Sequence, residues 1–152
     1  MQVILNDLAQ TLNEAYDRFL NITEAEAAQS PAPGEWSKKQ VLGHLIDSAA
    51  NNHQRWVRGQ LTELLSFPGY AQEEWVNTQD YQNESWIALV NLWKSYNLHL
   101  IYLAAAMPFE KQANLCRVGD REPVTLKFLV QDYLRHMRLH LEQIFTRVES
   151  KK

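Results

Sequence analysis

A chain of 152 residues with a net charge of −3 is long enough to bury a core of its own, and it has no basic excess with which to neutralise nucleic-acid phosphates. Its residues are 45% hydrophobic and 22% charged, the balance of an ordinary globule, and no run of 18 apolar residues offers a membrane span. The opening Met1-Gln2-Val3-Ile4-Leu5-Asn6-Asp7 lacks the flanks of a signal peptide, and the lone Cys116 cannot close an internal disulfide, so a reducing, cytoplasmic setting is expected.

In chain order, Ile4, Leu8, Leu12, Ala15, Phe19 and Ile22 recur at helical spacing and predict one long helix from about Gln2 to Ala28. Pro31, Pro33 and Gly34 end it. Ser37 stands as an N-cap, and a second helix is predicted from Lys38 to about Leu65 through Val41, Leu45, Ser48, Asn52 and Trp56, with Gly59 weakening its far end. Ser66 to Glu84 reads as a long irregular connection carrying Phe67-Pro68-Gly69-Tyr70 and Trp75. A stretch of that length in a compact domain is usually functional or a lid.

Ser85 caps a third helix, Trp86 to Ala106, with Trp86, Leu89, Val90, Trp93, Tyr96, Leu100 and Leu103 inward, and Pro108 closes it. Phe109 to Val124, with Gly119-Asp120-Arg121-Glu122-Pro123, is a turn-rich crossing. Thr125 caps the last helix, which runs to about Val148 on a stripe of Leu126, Leu129, Val130, Tyr133, Met137, Leu141 and Ile144, with Lys151 and Lys152 as a frayed tail. Four such helices predict an all-α chain folded as a four-helix bundle in a single domain, residues 1–152, with a long connection between the second and third helices.

The chemistry concentrates in the histidines: His44, His53, His99, His136 and His140. His136 and His140 share one helix face, with Cβ atoms about 5–6 Å apart, and both fall on the inward side. A buried neutral imidazole needs a partner for each ring nitrogen, and a metal ion on one with a hydrogen bond on the other supplies both. An ion held for chemistry needs three or more ligands and an open position, so the third must come from another helix. His44, beside the Val41–Leu45 stripe, can point into the bundle. Asp47, three residues on, can orient a ligand imidazole, and Gln143, three after His140, can do the same or bind a water. Three imidazoles suit Zn, Ni, Cu and Fe alike.

Other groups read more plainly. His53 and His99 are structural or surface residues, Trp36, Trp56, Trp86 and Trp93 belong to the core, and Cys116 is a bystander. Ser48, Asn51, Asn52 and Arg55 either line a cleft or form an exposed flank. No glycine-rich phosphate loop, nucleophile elbow or His-Glu-x-x-His occurs. Tyr133 and Met137 stand where di-iron bundles place a carboxylate three residues before each helix histidine.

The stretch Trp36-Ser37-Lys38-Lys39-Gln40-Val41-Leu42-Gly43-His44-Leu45-Ile46-Asp47-Ser48-Ala49, followed downstream by His136-Met137-Arg138-Leu139-His140-Leu141-Glu142-Gln143-Ile144, resembles the DinB/YfiT-like metalloenzyme superfamily. The Phe67–Trp75 loop and the Trp93–Asn97 pair on the third helix are similar too. The resemblance implies up-down-down-up helix order, frequent homodimers, and one divalent ion on His44, His136 and His140. Members bind nickel, zinc or similar ions, and some transfer low-molecular-weight thiols to electrophiles or run thiol-dependent isomerisations. Many relatives add a further histidine beside the fourth-helix pair, where this chain has Arg135, Met137 and Leu139.

The expected function is therefore a metal-dependent enzyme, carrying Zn or Ni with Fe or Mn as further candidates. It would be a low-molecular-weight thiol transferase or a hydrolase, activating a bound thiol or water toward a small-molecule substrate. Asp47 and Gln143 would hold ligand geometry, and Arg55 would bind an anionic cosubstrate. The alternative is a non-catalytic dimeric bundle, a binding or stress-related module whose histidines are structural. Stoichiometric metal separates the two.

Overall fold

The structure is a computed structural model describing residues 1–146, so the expected run to Val148 and the Lys151-Lys152 tail lie outside the described residues. Helix α1 (Gln2–Phe19) buries Leu5, Leu8, Leu12, Ala15 and Phe19, and it stops well short of Ala28. A short α2 (Glu24–Ala28) follows separately. The break is local chemistry: Thr23 and Glu26 form a reciprocal capping box that starts a new helix inside the apolar periodicity. Helix α3 (Lys38–Gly59) opens on the same device, Ser37 with Gln40.

Helix α3 ends at Gly59, before the expected Leu65, at a position with no room for a side chain. A Cβ at Gly59 would lie 2.6 Å from Leu126 Cδ2. The chain turns instead into strand β1 (Leu64–Phe67). The expected irregular stretch then holds α4 (Gln72–Thr78) and a 3₁₀ turn at Tyr81–Asn83. Helix α5 (Trp86–Ala105) is capped by Ser85. Strands β2 (Leu115–Val118) and β3 (Val124–Thr125) precede α6 (Leu126–Thr146). The Thr125 hydroxyl caps α6 by accepting from Phe128 N at 3.1 Å.

Side-chain meetings give the direction of each long helix. Phe19, at the end of α1, packs on Trp86 and Trp93 near the start of α5 and on Phe145 at the end of α6. Thus α1 runs against α5 and along α6. Lys38 Nζ, at the start of α3, donates to Ile144 O at 2.6 Å, while Trp56 meets Tyr133 one helix-length away, so α3 opposes α6. His53 against His99, with Lys39 beside Gln82, sets α3 parallel to α5. The bundle is up-down-down-up. Its interior holds Phe19, Trp56, Trp93, Leu8, Leu12, Leu45 and Met137 at under 2% exposure, each burial stabilising the fold by about 1.5–3 kcal/mol.

The three-stranded sheet is an addition to the expected all-helical bundle. β1 and β2 pair in parallel, Leu65 opposite Cys116, and β2 pairs antiparallel with β3, Cys116 opposite Val124. Asn114 Nδ2 ties the sheet to the end of α3 by donating to the carbonyls of Gly59 and Thr62, each at 2.9 Å. The sheet thereby brings the turn after β1 beside the turn after β2, where Gly119 N donates to Phe67 O at 2.8 Å. No helix among the described residues is long and apolar enough to cross a membrane.

Candidate metal centre

Because α3 and α6 run in opposite directions, the second turn of α3 faces the middle of α6. There His44 meets His136 and His140, with ring centroids 5.1 and 4.6 Å away, and 4.5 Å between the two α6 rings. One ligand nitrogen from each of the three lies within 4.8 Å of the others. The nearest pair, His44 Nε2 and His136 Nε2, is 3.2 Å apart. Two nitrogens each about 2.0–2.1 Å from a tetrahedral ion stand about 3.3–3.4 Å apart, so this pair already has the spacing of shared ligands. The donor set fits a divalent transition ion. His44 is fully buried under the Trp36 ring, 5.4 Å away, and the α6 histidines are half-buried.

Protonation agrees with that fit. Burial, reinforced by His140 and His136, pushes the His44 imidazolium down to about 3. Burial, then His140, pushes His136 down to about 4. Both rings are neutral near pH 7 and offer lone pairs. His140 Nδ1 lies 2.9 Å from Gln143 Oε1. A carbonyl oxygen only accepts, so Nδ1 is the donor and Nε2 is the ring nitrogen left for a ligand. Ser48 Oγ stands 3.5 Å from His136 Nδ1.

Asp47 is held by the connection between α3 and α5. Its Oδ1 accepts from Gln79 Nε2 at 2.6 Å and from the Tyr81 hydroxyl at 2.7 Å. Burial raises the Asp47 pKa against these two bonds, and the Tyr81 phenol is raised as well. Tyr81 reaches this position because Gly43 has no side chain: a Cβ there would sit 2.1 Å from the ring. Asp47 Oδ2 and His44 Nδ1, three residues apart on α3, are both buried without a hydrogen-bond partner.

A cavity of about 440 Å³ opens on His136 and is walled by Ser48, Asn52, Arg55, Tyr70 and Tyr133. Of the polar residues on α3, Ser48, Asn52 and Arg55 face it, while Asn51 bonds back to Asp47 O at 2.9 Å. A second groove of about 400 Å³, between α1 and α6, contains none of the histidines. His53 turns toward α5, bonded to the Tyr96 hydroxyl at 3.1 Å and packed on His99. Cys116 is buried on β2, its thiol pKa pushed up by burial. Gln79, Tyr81, Tyr70 and Arg121 join the site without a spacing signal. Tyr70, Gln79 and Tyr81 lay in the Ser66–Glu84 connection, whose length suggested function, whereas Arg121 lay outside it.

Residues 7–144 match the family model of the DinB superfamily. The chain belongs to the DinB superfamily. Among solved structures, the DinB-superfamily bundle is similar to YfiT from Bacillus subtilis, described as a probable metal-dependent hydrolase with an unusual four-helix bundle topology. The TM-score is 0.85 at 18% identity, over 96% of this chain and 84% of that one. It is also similar to the mycothiol-dependent maleylpyruvate isomerase, TM-score 0.76 at 16% identity, over 95% of this chain and 60% of that one. At these identities the likeness is one of fold. A protein of Oceanobacillus iheyensis named "Putative metal-dependent hydrolase" is 29% identical over 80 residues, which span 53% of this chain and 42% of that protein.

Proposed function

We propose that this DinB-superfamily chain is a metal-dependent enzyme acting on a small molecule, with one divalent ion held by His44, His136 and His140. The observation that carries the reading is the 3.2 Å approach of two neutral imidazole nitrogens from opposing helices, with a third histidine in reach. A bound ion supplies Lewis acidity, which makes a thiol or a water nucleophilic near neutral pH. The reaction class that follows is transfer of a low-molecular-weight thiol, or of water, to an electrophile. Descriptions of similar proteins as metal-dependent hydrolases and as a thiol-dependent isomerase support that class.

The chain's own residues prepare the site. Gln143 fixes the His140 tautomer, leaving Nε2 free to ligate, and Ser48 stands beside His136 Nδ1. Asp47 is the residue proposed to orient His44, since Oδ2 and His44 Nδ1 are the two buried atoms nearby in sequence that lack partners. Trp36 excludes water from the His44 ring, and substrate enters through the cavity on the His136 side. The test is turnover of tag-free protein loaded with Zn or Ni, offered a low-molecular-weight thiol and an aromatic chloride, or an activated ester. Turnover that disappears with the ion in His44→Ala supports the reading. Turnover that survives loss of the ion overturns it.

A further inference from the structure

Two guanidinium groups enter the cavity beside His136, and neither has an acidic partner among the described residues. Arg55 comes from α3, and Arg121 from the turn between β2 and β3. Among the described residues, the ion pairs are Lys39 with Glu24, Arg135 with Asp132, and Arg138 with Asp7. Arg55 Nε is buried with no hydrogen-bond partner, and its guanidinium lies over the Phe67 ring, 5.3 Å from the centroid. Arg121 is close enough to disfavour the charge on Arg55, on top of burial. An arginine cannot shed that charge near neutral pH, so two like charges share one cavity. Two carboxylates also border it. Asp132 is engaged by Arg135 at 2.7 Å, and Asp120 is exposed at the lip.

We propose that Arg55 and Arg121 form an anion subsite, so that the small molecule taken into this cavity carries a carboxylate or a comparable acidic group. Planar guanidinium donors pair bidentately with such groups. Tyr70, whose hydroxyl burial holds protonated up to about 12, adds a neutral donor on the same wall. Ser48, Asn52 and Arg55 lie on successive turns of α3, about 10 Å from first to last at 1.5 Å per residue. An acidic group at Arg55 therefore leaves several bonds between it and an atom reacting beside His136. The inference rests on the proposed reaction site for that polarity, whereas anion binding itself needs no ion.

The experiment is calorimetric titration of glutarate, with uncharged glutaramide as the control, at fixed ionic strength. It is run on the protein as purified and again after chelation, on wild type, Arg121→Gln and Arg55→Gln. Saturable glutarate binding is expected in both preparations, at least tenfold weaker for glutaramide and in each variant. Arg121 is exposed, so its variant keeps the test decisive even if Arg55→Gln folds poorly. Equal affinities for glutarate and glutaramide, or for wild type and Arg121→Gln, would overturn the subsite. Arginine-dependent binding in a protein that holds no metal as purified, and takes up none when offered Zn or Ni, would sink the metal reading alone. Stoichiometric metal with glutarate binding indifferent to Arg121 would sink the subsite alone.

Discussion

His44 Nε2 faces His136 Nε2 at 3.2 Å across the seam between α3 and α6, while His44 Nδ1, on the other side of the same ring, is buried without a partner. A single proton can bridge the two Nε2 atoms. Whichever ring holds it, His44 Nδ1 is left as an unanswered donor or acceptor, at a cost of about 1–3 kcal/mol. The metal-free site is therefore under-satisfied, and three consequences follow from its neighbours.

Acid should unfold the metal-free protein early. His44 and His136 have folded pKa values of about 3 and about 4, against an ordinary 6.5. Below pH 6.5 the unfolded chain takes up protons at these positions while the folded chain does not, which favours unfolding. Stability is fully present above that value and is lost as the pH falls toward 4 and 3. Urea denaturation of chelated protein at a series of pH values should show the decline, and His44→Gln should flatten it. A wild-type profile flat below pH 6.5 would deny that these rings are buried neutral.

Asp47→Asn should keep the fold and weaken the ion. The amide retains an oxygen for Gln79 and Tyr81 but loses the charge that would complement a proton on His44 Nδ1. Losing such an outer partner lowers metal affinity by about 10–100-fold. Competition against a chelator of known affinity measures it. An unchanged affinity would remove Asp47 from the site.

Gly43→Ala should destabilise the protein by about 1–3 kcal/mol, because its methyl group overlaps the Tyr81 ring. In denaturant titrations, combining it with Tyr81→Ala should cost less than the sum of the two changes, since the second removes the ring the first strikes. Additive losses would mean that the clash is relieved elsewhere.

What the sequence disclosed follows the range of each interaction. Ser37, Ser85 and Thr125 were readable as caps because an N-cap is settled within three residues. The same rule, applied to Thr23 and Glu26, would have split the first helix, but the apolar spacing from Ile4 to Ile22 hid the box. The strands were invisible because Leu64–Phe67 and Leu115–Val118 are four residues each, too short to display a period, and find each other only in the fold.

The site divides along the same line. His136 and His140 are joined by helix geometry, and His44 by the inward face of α3, so all three could be named beforehand. Gln79 and Tyr81 reach Asp47 through a space defined by a missing side chain at Gly43, which leaves no pattern to find. Arg121 comes to the cavity of Arg55 by the parallel pairing of β1 and β2.

Metal content bears most directly on the central claim, that His44, His136 and His140 hold one divalent ion. Elemental mass spectrometry of protein purified without a histidine tag or added metal should find about one equivalent of a transition metal. It should be lost in each of His44→Ala, His136→Ala and His140→Ala. Chelation should also lower the melting temperature, since an ion at 1,000 times its Kd stabilises the fold by about 4 kcal/mol. A folded wild type that holds no metal and takes up none when offered Zn or Ni, or alanine variants that keep full occupancy, would contradict the account.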